Sequence, residues 1–126
     1  MVCADGSPSS IATTRAVTSL PWVSDLVVHV VTVNDGRVDP NEAQATAFTM
    51  LEPTGAELVA SRASGEPASR LIDYADAHKI DLIAMGTRGL SGLKRWAIGS
   101  TASAIAHTSE ASVLVACDGA TGAVDR

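Results

Sequence analysis

Aromatic residues are nearly missing from this chain of 126 residues, which has two Trp, one Tyr and one Phe. A surface that stacks nucleobases needs several rings, and one that follows a phosphate backbone needs excess positive charge. Here nine basic residues face fourteen acidic ones, for a formal charge of −5. Both shortages speak against a nucleic-acid binder. Cysteine is scarce as well: Cys3 and Cys117 stand alone, without the paired spacing of a zinc site or a disulfide framework, and read as small buried residues. The three histidines, His29, His78 and His107, include no pair at helical i, i+4 spacing and no neighbouring acid cluster, so no metal site is expected. Long apolar runs are lacking too. The longest, Leu26 to Val33, contains His29 and is too short to span a bilayer. Met1-Val2-Cys3-Ala4-Asp5 has no basic start and meets an acid at once, unlike a secretory leader, so a cytoplasmic location and no membrane partner are the expectation.

Several nucleotide and hydrolase signatures are also missing. Without Gly-x4-Gly-Lys-Ser/Thr the chain is no P-loop triphosphatase, and without Gly-x-Gly-x-x-Gly after the first strand it has no dinucleotide fingerprint. No Gly-x-Ser-x-Gly elbow exposes a nucleophilic serine.

What is present is an alternation of two periodicities. Val2-Cys3-Ala4 is a short strand, and Asp5-Gly6-Ser7-Pro8 opens a helix to about Leu20 with Ser7 as N-cap. Leu26 to Val33 is a β-branched strand of the kind covered on both faces. Asp39-Pro40-Asn41-Glu42 starts a helix to about Glu52 with Ala43, Ala47, Met50 and Leu51 on its apolar face. Ala56 to Ala63 forms a third strand, and the helix after Gly65-Glu66-Pro67 repeats Ala68, Leu71, Ile72 and Ala75. Asp81 to Met85 is a fourth strand, Ala102, Ile105 and Ala106 mark a helix, and Ala111 to Ala116 is the last strand. This β-α alternation predicts a parallel sheet with helices on both faces, in one domain over residues 1–117, followed by a loose tail over 118–126.

Between the fourth strand and the last helix lies Gly86-Thr87-Arg88-Gly89, then nine residues, then Gly99-Ser100-Thr101. Glycines between a strand and a helix N-terminus let backbone N–H groups converge on phosphate oxygens, where the helix dipole favours negative charge. Arg88, Lys94 and Arg95 add a basic knot, and no acid occurs between Asp81 and Glu110. A solvated basic loop would look the same by charge alone, but the order strand, glycine loop, Gly-Ser-Thr and helix points to an anion site.

The chain resembles the universal stress protein family over nearly its whole length. The residues that carry the likeness are Ala-Asp-Gly-Ser after the first strand, Val-Val-His-Val-Val in the second, Asp-Leu-Ile-Ala-Met-Gly-Thr-Arg-Gly at the fourth, Gly-Ser-Thr before the last helix and Ser-Val-Leu-Val-Ala at the end. The spacing Gly86-x2-Gly89-x9-Gly99-Ser100 is that of the family's ATP-binding branch. The resemblance implies a five-stranded sheet of order 3-2-1-4-5, similar to the adenine nucleotide alpha-hydrolase fold. It places Asp5 and the backbone near Cys3 beside the nucleoside and the backbone at Val30 against the adenine edge. Met85, Gly86, Arg88 and Gly89 would surround ribose and phosphates, while Gly99, Ser100 and Thr101 would hold the phosphate chain. Each position also has a plainer use, since Asp5 suits a capped turn, Val30 a core and Ser100 an N-cap. Three glycines in register with Ser100 go beyond what turn geometry needs.

The resemblance further implies ATP with magnesium as ligand, a stress-response or regulatory role, and a homodimer through the last strand, whose residues Ser112 to Ala116 carry no charge or proline. No general base is evident near the loop, so binding is favoured over turnover. The alternatives are a slow ATPase or autophosphorylating enzyme, with Ser100 or Thr101 as acceptor and Asp5 beside the metal, and a dimeric interaction module with a vestigial site. The first strand is short for the family, which implies a weakened central strand or a start upstream of Met1. Ser112 stands where the family often has proline.

Overall fold

Three of the four helices among the described residues announce themselves by a side-chain cap followed by proline. In the computed structural model, which describes residues 1–87 and 99–116, Ser7 accepts the Ser10 N–H before α1 (Pro8–Thr18), and Asp39 accepts the N–H groups of Asn41 and Glu42 before α2 (Pro40–Leu51). Glu66 accepts those of Ala68 and Ser69 before α3 (Pro67–Ala77). In each case an oxygen satisfies first-turn donors that have no partner within the helix, and proline occupies a position whose N–H is not needed. The fourth helix, α4 (Ser100–Thr108), follows Gly99 and has no side-chain cap among the described residues.

The strands are β1 (Val2–Cys3), β2 (Val27–Asn34), β3 (Glu57–Ser64), β4 (Leu82–Gly86) and β5 (Ser112–Ala116). They form one parallel sheet, as the strand-helix alternation predicts, in the order β3-β2-β1-β4-β5 that the family resemblance implies. Element ends differ from the sequence reading by one or two residues, and a 3-10 turn at Val23–Asp25 precedes β2 unannounced. Side chains alternate across the sheet. Val2, Ala4, Val28, Val30 and Ala84 pack with Val17 of α1 and Ala47 and Leu51 of α2. Cys3, Val31, Val33, Ile83 and Met85 pack on the other face with Leu71 and Ala75 of α3 and Ala102 and Ile105 of α4.

Helix α1 lies close to the sheet on a face of small polar residues. Ser9, Ser10, Thr13 and Thr14 are buried there, and the Thr13 and Thr14 hydroxyls donate to the Ser9 and Ser10 carbonyls at 2.8 and 3.0 Å. Hydrogen bonding within the helix makes their burial tolerable. Gln44 of α2 is also buried, and its amide donates to the Val30 and Ser61 carbonyls at 3.2 and 2.7 Å while accepting from Arg62 at 3.0 Å.

Strand β1 is short but central. It pairs with β2 on one side and β4 on the other, and Ala4 N–H extends the first pairing by donating to the Val31 carbonyl at 2.9 Å. The chain leaves β1 toward β2 and β3 and returns beyond it to β4 and β5, so the order reverses at the carboxyl ends of β1 and β4. A crevice forms there because the crossovers diverge to opposite sides. No helix among the described residues is long and apolar enough to cross a membrane.

Candidate functional site

A cavity of about 250 Å³ occupies that crevice. Its floor is Cys3, Ala4 and Asp5 at the end of β1 with Met85, Gly86 and Thr87 at the end of β4, and Gly99, Ser100 and Thr101 close one side. The volume lies near the lower end, about 300 Å³, of the range for small-molecule sites.

Asp5 begins the site with a turn. Its Oδ1 accepts the Ser7 N–H at 2.8 Å, and its own N–H donates to Ser10 Oγ at 3.3 Å. Gly6 between them has φ +82°, a left-handed conformation that glycine adopts without steric penalty. The turn use of Asp5 is therefore realised in the structure, and its carboxylate also lines the cavity.

Gly86 is a glycine for a reason the sequence did not show. A Cβ at this position would stand 2.3 Å from Ser9 Oγ and 2.9 Å from the Ser9 backbone carbon. The missing side chain is what lets α1 approach β4. Gly99, with φ −68° and ψ 167°, has a backbone open to any residue.

Two polar features at the cavity are unmatched among the described residues. Helix α4 alone among the four described helices starts without a capping side chain. Thr87, beside it, has a buried Oγ1 with no hydrogen-bond partner among the described residues, although its backbone is fixed: its N–H donates to the Ala116 carbonyl at 2.8 Å and its carbonyl accepts the Gly99 N–H. A buried hydroxyl without a partner loses hydration with nothing in exchange. Hydroxyl, uncapped first turn and helix dipole together suit an anionic ligand.

Of the residues picked from sequence, Cys3, Asp5, Met85, Gly86, Gly99, Ser100 and Thr101 all line this one cavity. Arg88 and Gly89 lie outside the described residues, as do Lys94, Arg95, Cys117 and the tail. The Val30 side chain is fully buried on the α1 and α2 face and is not in the lining, where strand alternation places Val31 and Val33; the expectation for Val30 concerns its backbone, whose carbonyl accepts from the Gln44 amide at 3.2 Å. The Cys3 thiol is pushed up to about 12 by burial, so it remains a neutral, apolar part of the floor.

Sequence reasoning missed the far rim, where Asp35, Arg37 and Val38 follow β2 and Pro67 and Leu71 belong to α3. Arg37 donates to Asp35 at 2.8 Å, and the guanidinium holds that carboxyl below its usual range. Only the Asn34-Asp35-Gly36 turn signalled this loop, and nothing in it named a cavity.

The sequence pattern of the family described as "Universal stress protein family" matches residues 41–116. The chain belongs to the universal stress protein family. Universal stress protein MJ0531 of Methanocaldococcus jannaschii is 35% identical over 79 residues, 63% of this chain and 46% of that protein. Slr1230 of Synechocystis is 30% identical over 87% of this chain and 39% of its own length, and YxiE of Bacillus subtilis 26% over 84% and 71%. The chain thus spans less than half the length of the first two relatives. Among solved structures, UspA of Lactobacillus plantarum superposes with a TM-score of 0.76 at 24% identity, over 91% of this chain and 94% of that one. Hypothetical protein MJ0577 gives 0.78 at 21%, over 91% and 92%, and a universal stress protein solved in complex with cAMP gives 0.74 at 22%, over 93% and 94%. At these identities the structures share the fold.

Proposed function

We propose that this universal stress protein domain binds ATP with magnesium in the crevice between β1 and β4 and serves as a stress-response or regulatory module with little turnover. The uncapped first turn of α4 beside the unpartnered Thr87 hydroxyl carries this reading, because both are donors that a phosphate oxygen would satisfy. The apolar wall of Val31, Val33 and Leu71 suits the nucleoside end, with Asp5 at the ribose. A relative of the same fold was solved with an adenine nucleotide, cAMP, which fits the proposal. Arg88 and Gly89 complete the phosphate loop in this reading. Magnesium would be held chiefly by the phosphates, since no cluster of three metal-ligating side chains exists among the described residues.

Thermal melts with and without Mg-ATP test the proposal on protein shown to be nucleotide-free. Saturating ligand at a hundred times its Kd contributes about 2.7 kcal/mol, a shift of several degrees. Gly99→Asp should abolish that shift by placing a carboxylate where phosphate would sit. The backbone at Gly99 accepts an aspartate, which is itself a favoured N-cap, so the apo protein should fold at least as stably as the parent. An unchanged melt in Mg-ATP, or equal ATP affinity in the variant, would remove ATP from this site.

A second copy of the chain is the partner we propose. Strand β5 lies at a sheet edge with its apolar side chains half-buried, so its outer backbone groups offer a template for pairing.

A further inference from the structure

At the other end of the sheet from the cavity, His29, Tyr74 and His78 form a cluster that the nucleotide reading does not use. Val31 and Val33 of β2 and Leu71 of α3 line the cavity, whereas His29 lies nearer the start of β2 and Tyr74 and His78 toward the end of α3. The ring centroids of His29 and His78 are 5.4 Å apart, inclined at 58°, and Tyr74 stacks on His78 at 3.9 Å. Tyr74 also orients both imidazoles. Its carbonyl accepts the Nδ1–H of His78 at 3.0 Å, which leaves Nε2 of that ring with its lone pair. Its hydroxyl is 2.7 Å from Nδ1 of His29, and the tautomer that donates to the phenol oxygen frees Nε2 there as well.

We propose that His29 and His78 form a surface site for a late first-row divalent cation such as Zn²⁺ or Cu²⁺, with Tyr74 as the positioning residue behind both ligands. Imidazole binds these ions through neutral nitrogen at about 2.0–2.1 Å, which puts each ring centroid about 3.2 Å from the metal. At a tetrahedral angle two such rings have centroids about 5.2 Å apart, close to the separation seen. Ligating histidines characteristically donate their other N–H to a carbonyl or hydroxyl, the arrangement Tyr74 supplies. The cluster is open to solvent, because His78 is exposed and His29 half-buried. No third His, Cys, Asp or Glu completes the set among the described residues, so water fills the remaining positions and affinity is modest.

The test uses the full, tag-free chain after chelator treatment. Zn²⁺ titrated by calorimetry should bind one ion per chain in the micromolar range, with Mg²⁺ showing no heat. Sub-stoichiometric Cu²⁺ should broaden the amide resonances of residues around 29 and 74–78 before all others. His78→Ala, at an exposed position that does not threaten folding, should weaken Zn²⁺ binding at least tenfold, and His29→Gln likewise. Tyr74→Phe should weaken it about tenfold without changing stoichiometry, as loss of an outer-shell partner does, while His107→Gln should leave it unchanged. Absence of binding at sub-millimolar Zn²⁺, affinity unaltered in His78→Ala, or broadening centred elsewhere would overturn the proposal.

Discussion

Replacing Gly86 with alanine separates a packing requirement from a ligand requirement at one residue. An added Cβ would lie 2.3 Å from Ser9 Oγ, 2.8 Å from Ser9 Cβ and 2.9 Å from the Ser9 backbone carbon. Carbon atoms are most stable about 3.5–4.0 Å apart, so the backbone contact is too short by at least half an ångström. A rotamer change at Ser9 relieves the first contact only, and does so by giving up the hydrogen bond between the Ser9 and Ser7 hydroxyls at 3.4 Å. Helix α1 must therefore back away from β4, which loosens the buried Ser10, Thr13 and Thr14 and strains the Asp5 turn that anchors the helix. Overpacking of this kind costs about 1–3 kcal/mol, and the involvement of backbone places Gly86→Ala at about 3 kcal/mol out of a total stability of about 5–15 kcal/mol. The corresponding fall in Tm is roughly 10 °C for a domain of this size. Urea denaturation without nucleotide is the decisive assay, because a phosphate-only role for Gly86 predicts no loss there. In a Ser9→Ala background the Oγ contact is gone, and at least about 0.5 kcal/mol should be recovered as coupling energy. Wild-type stability in apo Gly86→Ala, or strict additivity with Ser9→Ala, would refute the packing argument.

Three further outcomes are expected. Lysine at Val113 or Val115 should weaken dimerisation by burying an unpaired charge, and sedimentation showing a monomeric wild type, or a dimer indifferent to both lysines, would defeat pairing through β5. Metal-free protein should lose stability as pH falls from 7.5 toward 5.5: the pKa of His29 is lowered on folding, chiefly by desolvation, so below about 6.5 the unfolded chain takes up the proton more readily than the folded one. His29→Gln should flatten that slope, and an equal slope in both proteins would assign it to other groups; the depressed Asp35 acts in the same direction but below its ordinary range. ATP hydrolysis should be far slower than the ~10 s⁻¹ of a typical enzyme, and phosphate release at that rate, lost in Asp5→Ala or Ser100→Ala, would make the protein an ATPase.

Local signals carried most of the fold. Ser7-Pro8, Asp39-Pro40 and Glu66-Pro67 mark helix starts because a cap and a pre-set φ act within four residues, and the β-branched run of β2 needs no distant partner to favour a strand. Alternation of strand and helix then leaves few topologies for a parallel sheet, and the order β3-β2-β1-β4-β5 was legible with the help of the family resemblance. The candidate site was legible in part. Gly86, Gly99, Ser100 and Thr101 could be singled out from the glycine loop and helix start, and Asp5 from the turn after the first strand, where such folds form crevices, whereas Cys3 and Met85 came with the family resemblance.

The sequence by itself determined which segments become helices and strands and which strand ends could meet an anion, since these depend on caps, periodicity and turn residues close along the chain. Only the tertiary structure decided that Val31 and Val33, not Val30, wall the cavity, because a one-residue step on a strand exchanges the two faces of the sheet. It also gave Gly86 its partner in Ser9, brought Arg37 to the rim, and set His29 against Tyr74, 45 residues away in sequence, and against His78 beyond it. Such contacts arise from the packing of α1 and α3 on opposite faces of one sheet, and local sequence patterns do not encode which distant side chains packing will bring together.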